Sequence, residues 1–192
     1  MMRDGLTSLQ IEKLLAYVKG KPQYVFVMLG LYAGLRQGEI LALQWDCVFL
    51  GCEHPYISVR KTWRIVQGKA IVSSEVKTPS ANRNVLLVDQ LVQCLREMKK
   101  ETNSQYVVSS SDGGPLSPAQ FKRFWQPIET YTSMSEINSK EGSGIVRTTA
   151  EMVNEKRACR NKGKTTLDQR ITPHLLRHTY VLNQGWGMGE KQ

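Results

Sequence analysis

The sequence predicts an α+β fold, a mainly helical domain with a small three-stranded antiparallel sheet on one edge. Three observations carry this. Apolar residues repeat at helical spacing over roughly the first 45 positions, the period shifts to two between Ile57 and Val88, and helical spacing returns after Asp89. With 192 residues, the chain reads as a single domain over 1–192. At 41% hydrophobic and 22% charged residues it can build a core, which excludes wholesale disorder.

The elements follow in order. Thr7 and Gln10 stand at capping-box spacing, Leu6 and Ile11 fit a hydrophobic staple, and Ile11, Leu14, Leu15 and Val18 form one buried face. Gly20 ends that helix. Pro22 suits the first turn of a second helix, apolar all round to Leu31 and Tyr32 and therefore central to the core. Gly34 is its C-terminal cap, and a third helix is expected through Ile40, Leu41 and Leu43 to Trp45. Ile57 and Val59 alternate with polar neighbours. Trp63 to Val66, Gln67-Gly68, then Ala70 to Val72 predicts a hairpin, and Arg83 to Val88 a further strand. Asp89 can cap a helix with Leu91, Val92, Leu95 and Met98 inside. Tyr106 to Val108 is a short apolar stretch. Ser117-Pro118 can open a helix through Phe121, Phe124 and Trp125.

Residues 130–170 are the least regular part and read as an irregular basic insertion. Thr148 and Glu151 can open a short helix there, and from 140 to 170 Lys and Arg outnumber acids eight to four. Thr172-Pro173 then starts a last helix carrying His174, Arg177 and His178 on one face, at spacings of three and four. The run Gln184-Gly185-Trp186-Gly187-Met188-Gly189 is costly to keep helical, each glycine adding about 1 kcal/mol relative to alanine.

Net charge is +9, and a basic domain attracts polyanions, nucleic acid first among them. The longest apolar run, Tyr24 to Leu35, is too short to span a bilayer, so no membrane association is expected. Met1 to Gly5 holds no apolar leader, and four cysteines are too few for a disulfide framework; a reducing cytoplasm fits.

His174 and His178 first suggest a metal pair. Zinc peptidases use H-E-x-x-H, but here Leu175 fills the Glu position and Arg177 would repel a cation, so that reading is rejected. Cys47, Cys52 and His54 lack a fourth ligand at finger-like spacing and read as small buried cysteines. Arg177 between two imidazoles suits an anion instead: its planar fork of donors matches phosphate, and histidine can donate a hydrogen bond or move a proton near neutral pH. Gly34-Leu35-Arg36-Gln37-Gly38-Glu39 adds a second Arg between a helix end and the next helix start. Taken singly, Arg36 can be a plain cap residue, Lys77 a solvated turn lysine, His174 a helix cap, His178 a packing residue and Glu39 a helix-start acid.

Three motifs in order resemble the tyrosine recombinase (phage integrase) family. They are Ala33-Gly34-Leu35-Arg36-Gln37-Gly38-Glu39-Ile40 followed by Leu43-Gln44-Trp45-Asp46; Lys77-Thr78-Pro79-Ser80-Ala81-Asn82-Arg83; and His174-Leu175-Leu176-Arg177-His178-Thr179. The resemblance implies catalytic roles for four residues. Arg36 and Arg177 would clamp a scissile DNA phosphate, His174 would support it, and Lys77 would protonate the departing 5′-oxygen. Glu39 would steady Arg36, and His178 would stand behind the site. No metal or other cofactor is called for, because two guanidiniums supply the positive charge. The implied partners are double-stranded DNA and other recombinase protomers, in a cytoplasmic protein associated with the nucleoid when on DNA.

The resemblance also carries departures. The family's nucleophilic Tyr, which forms a covalent phosphotyrosine, lies some thirty residues beyond the H-x-x-R cluster. Here Tyr180 is the only tyrosine after Arg177, at a position that usually packs, so it is not the expected nucleophile. The expectation is a catalytic domain incomplete at its C-terminus, without the family's N-terminal clamping domain, and inactive alone. A non-enzymatic DNA-binding module or decayed remnant of a mobile-element integrase is the alternative, and a type IB topoisomerase-like enzyme ranks below both.

Overall fold

The computed structural model describes residues 5–74, 82–140 and 171–186, with side chains omitted for 132–140 and 184–186. Two compact units are present: residues 1–126 together with 172–192, and residues 127–171. The first unit holds the helices α1 (Ser8–Val18), α2 (Gln23–Tyr32), α3 (Gln37–Leu41), α4 (Asp89–Glu101) and α6 (Pro173–Trp186). It also holds the strands β1 (Val48–Phe49), β2 (Tyr56–Val59), β3 (Thr62–Val66), β4 (Lys69–Ser73) and β5 (Arg83–Leu86). Helix α5 (Pro118–Lys140) begins in this unit. Of the second unit, residues 127–140 are described as helix, with Pro127 inside it.

Local chemistry sets the helix starts. Thr7 and Gln10 form the expected capping box at α1, at 3.3 Å and 2.9 Å. Ser117 and Gln120 form another at α5, at 3.3 Å and 2.8 Å. The Thr172 hydroxyl accepts the Leu175 N–H at 3.1 Å and starts α6. Asp89 is not a cap; it lies in the first turn of α4 after Val88, where its charge complements the helix dipole.

Helix α2 is the core, with eight of its ten residues buried. Phe26 on it meets Phe121, Phe124 and Trp125 at ring-centroid distances of 5.8, 5.8 and 5.2 Å. Trp63 joins Phe121 at 6.3 Å and donates its indole N–H to the Leu116 carbonyl at 2.8 Å. On another side α2 receives α6. A Cβ on Gly30 would lie 2.8 Å from Cβ of Leu176, so the two helices approach closer than any side chain at residue 30 would allow. Thr179 of α6, almost fully buried, accepts the Leu6 N–H at 2.9 Å and donates to the Leu175 carbonyl, tying the start of the described chain to α6.

The three-stranded antiparallel sheet has the order β1-β2-β5, with Val48 opposite Ile57 and Ile57 opposite Val85. The hairpin β3-β4 is a separate two-stranded ribbon rather than part of that sheet. Its turn, Gln67-Gly68, has φ of 49° and 77°, the paired positive values that match the twist of the flanking strands.

Several expectations are corrected. The third helix stops at Leu41, not Trp45. Beyond it the backbone pairs with a distant segment: Val107 N–H donates to the Leu43 carbonyl and Trp45 N–H to the Gln105 carbonyl, both at 3.0 Å. A short 3-10 turn follows at Trp45–Cys47. Cys52 is exposed rather than buried, on the turn between β1 and β2. Residues 130–140, expected to be irregular, continue α5; 141–170, with the Thr148–Glu151 helix start, lie outside the described residues. Helix α6 runs through Gly185 to Trp186, one glycine being a tolerable cost. Among the described residues no helix is long and apolar enough to cross a membrane, and no cluster of three His, Cys, Asp or Glu side chains could hold a metal.

Candidate functional site

Helix α2 ends at Ala33, and Gly34, at φ +59°, reverses the chain in a backbone region that L side chains seldom adopt. Arg36 follows in extended conformation at the cap of α3, and Gln37, Gly38 and Glu39 form its first turn. Gly38 lets this turn sit on β3: a Cβ there would fall 2.6 Å from the Trp63 carbonyl oxygen. The α2–α3 connection is thereby pressed between the hairpin and α6.

Glu39 organises this turn. Its carboxylate is only 7% exposed and accepts from two arginines and one backbone amide. Oε2 takes the Arg36 N–H at 2.8 Å, and Oε1 takes Arg36 Nη1 at 2.9 Å. Arg83, at the start of β5, forks across both oxygens, Nη1 to Oε1 at 2.9 Å and Nη2 to Oε2 at 2.8 Å. Burial pushes the Glu39 carboxyl up, but the bonds from Arg83, from the Arg36 backbone and from the Arg36 guanidinium outweigh it and hold it below its ordinary value. Arg83 is raised in turn, mainly by its bonds to Glu39.

A depressed carboxyl favours the folded state at pH values above the unfolded-state pKa. That contribution is lost as pH falls through the folded value. Stability should therefore drop as pH is lowered from about 5 through the carboxylate range. Glu39→Gln should remove part of that slope in denaturant melts taken at several pH values. Identical slopes for wild type and variant would contradict the assignment.

Across from the turn stands the first part of α6. Arg36, Gln37 and Gly38 on one side and Pro173, His174 and Arg177 on the other line a cleft of about 280 Å³. Arg177 donates through Nη1 to the Gly34 carbonyl, 143 residues away in sequence. This bond fastens α6 to the turn and aims the guanidinium. Burial, then the neighbouring Arg36 charge, lowers the Arg177 pKa, with Glu39 acting the other way. Two guanidiniums repelling one another at the edge of a cleft form a site that a bound anion would relax.

Arg36, Arg177, His174 and Glu39 are thus brought together, with His174 exposed on the cleft wall. His178 is half-buried and does not line the cleft. Tyr180 packs its ring edge against Gly34, where a Cβ would come within 2.6 Å of its Cε1. Lys77 lies outside the described residues. Arg83 was absent from the expected site. Its signal in the sequence is its place as the last residue of the Lys77–Arg83 motif, where it could be read only as a strand start.

A family model for the phage integrase family matches residues 5–142. No protein of curated function matches the chain in sequence. Among solved structures, the integrase of the Tn1549 transposon in complex with circular intermediate DNA superposes with a TM-score of 0.63 at 18% identity, covering 100% of this chain and 56% of that one. The XerA recombinase superposes with a TM-score of 0.61 at 17% identity, covering 99% of this chain and 53% of that one. The chain therefore spans little more than half the length of either structure, and at these identities the likeness is one of fold. The family match itself extends over most of the sequence, from before α1 to past the end of α5: the chain belongs to the phage integrase family.

Proposed function

We propose that this chain binds duplex DNA and holds one scissile phosphate in the Arg36–Arg177 cleft, as the phosphate-clamping part of a site-specific tyrosine recombinase. The observation that carries the reading is that Arg36 and Arg177, on different elements, line one cleft together with His174. Arg36 and Arg177 offset charge on the non-bridging oxygens, and His174 supports the same phosphate by hydrogen bond or proton transfer. Lys77 is the general acid that protonates the departing 5′-oxygen, Glu39 steadies Arg36, and His178 stands behind the site. A metal has no part in this scheme. The Tn1549 integrase, of the same fold, is seen in complex with circular intermediate DNA, which supports the choice of DNA as the ligand. Other recombinase protomers as further partners and the nucleoid as the working location belong to the same proposal. Tyr180, packed on Gly34, is assigned no part in strand attack, so this chain alone should form no covalent adduct on a suicide DNA substrate.

Phosphate contact should dominate DNA affinity. For six to ten contacts, binding to a labelled duplex should weaken about 10³–10⁵-fold between about 50 and 200 mM salt. Arg36→Ala should reduce affinity further at every salt concentration. A salt-independent affinity, or one indifferent to Arg36, would remove the basis of the proposal.

A further inference from the structure

We infer that Arg83 is a positioning residue: through Glu39 it sets the direction of Arg36, so the sheet governs the geometry of the clamp. The inference rests on the reading of the cleft as a phosphate site.

The side chain of Arg36 is 60% exposed. Alone, an exposed arginine samples many rotamers, and holding it to one costs conformational entropy. Its carboxylate partner among the described residues, Glu39, sits on the same short helix start three residues on, and a pair this local does not fix an absolute direction. What fixes Glu39 is the fork from Arg83. Two parallel bonds to both carboxylate oxygens set the plane of the carboxylate as well as its place. Arg83 is itself held by β5, where it stands opposite Val59 of β2. Oriented this way, one oxygen of Glu39 is aimed at the Arg36 guanidinium and the other at its backbone N–H. The chain of contacts runs from sheet to Arg83, to Glu39, to Arg36.

Arg83 does not line the cleft, whereas Arg36 does. It is therefore a poor candidate for direct contact with a phosphate there. Its charge also matters. With Arg83 spending its fork on Glu39, the carboxylate is shared, and Arg36 keeps donors for an anion instead of being fully neutralised by Glu39.

The test uses the whole chain, with inorganic phosphate as the probe and Arg83→Lys as the variant. Lysine keeps the charge and loses the fork. Hydrogen exchange of the Arg36 amide, followed by NMR without phosphate, should accelerate about tenfold or more, because its acceptor is no longer held. Phosphate affinity should fall about tenfold in Arg83→Lys, and by less than about twofold when the same change is made in an Arg36→Ala background. Equal losses in the two backgrounds would show that Arg83 acts on the anion or the fold directly, and would overturn the inference. So would unchanged Arg36 exchange. Should wild type and Arg36→Ala bind phosphate equally, the clamp reading fails, and the exchange measurement still decides the role of Arg83. Arg83→Gln, read the same way, serves if the lysine variant does not fold by thermal melt.

Discussion

Arg177→Lys should lower the affinity of the cleft for inorganic phosphate about thirtyfold, or about 2 kcal/mol, while leaving the salt slope of DNA binding unchanged. The charge is the same, so the number of counterions released is the same. What changes is the donor geometry. Arg177 spends one nitrogen on the Gly34 carbonyl and, among the described residues, keeps Nε and its second terminal nitrogen to offer. A lysine has one nitrogen, which must either hold the turn or reach the anion. Arginine also withstands the local field. Burial and the Arg36 charge both lower the pKa at this position, and a guanidinium starts far enough above neutral to stay charged. Titration of the variant with phosphate, beside salt-dependent DNA binding, checks both halves. A thirtyfold loss accompanied by a shallower salt slope would mean that the effect is simple charge loss, and an unchanged phosphate affinity would mean that Arg177 is only a fastener.

Much of this molecule was readable because its signals are local. The capping box at Thr7, the helix start at Ser117-Pro118 and the two-residue turn at Gln67-Gly68 each act within a few residues, and all formed as expected. The error at the third helix arose where a distant segment competes. Leu43 to Trp45 has the apolar spacing of a helix, yet its backbone groups pair with residues near Tyr106, a partner that periodicity cannot reveal. Strand β1, two residues long, carries no period at all. The same division holds at the site. Arg36 and Arg177 could be found from the wording of the segments around them. Arg83 could not, since its function depends on a carboxylate 44 residues earlier, and the pairing exists only after β5 is laid beside β2. His178, read as standing behind the site, shares a helix face with His174 and Arg177 by spacing, and the cleft is lined by those two and not by it.

The turn that joins these parts should be the most sensitive single position in the fold. Gly34→Ala is expected to destabilise the chain by about 2–5 kcal/mol, from two sources. A left-handed backbone at φ +59° costs an alanine about 1–2 kcal/mol. The new Cβ would also fall 2.6 Å from Cε1 and 2.9 Å from Cγ of Tyr180, and closer still to Cδ1, so either the ring or the turn must move. In a domain this size that loss lowers the melting temperature by about 5–15 °C. The two sources can be separated. With Tyr180→Ala added, the steric part vanishes and only the backbone part remains, so the double variant should lose at least about 1 kcal/mol less than the two single losses together. Strict additivity would mean that the ring does not press on the turn. Function should suffer beyond stability, because the carbonyl of the same residue receives the Arg177 guanidinium. At a temperature where Gly34→Ala is still folded, its phosphate affinity should therefore fall with that of Arg177→Lys. A glycine chosen only for flexibility would leave the clamp intact; here the missing side chain makes room for Tyr180, and Tyr180 keeps the turn where Arg177 can grip it.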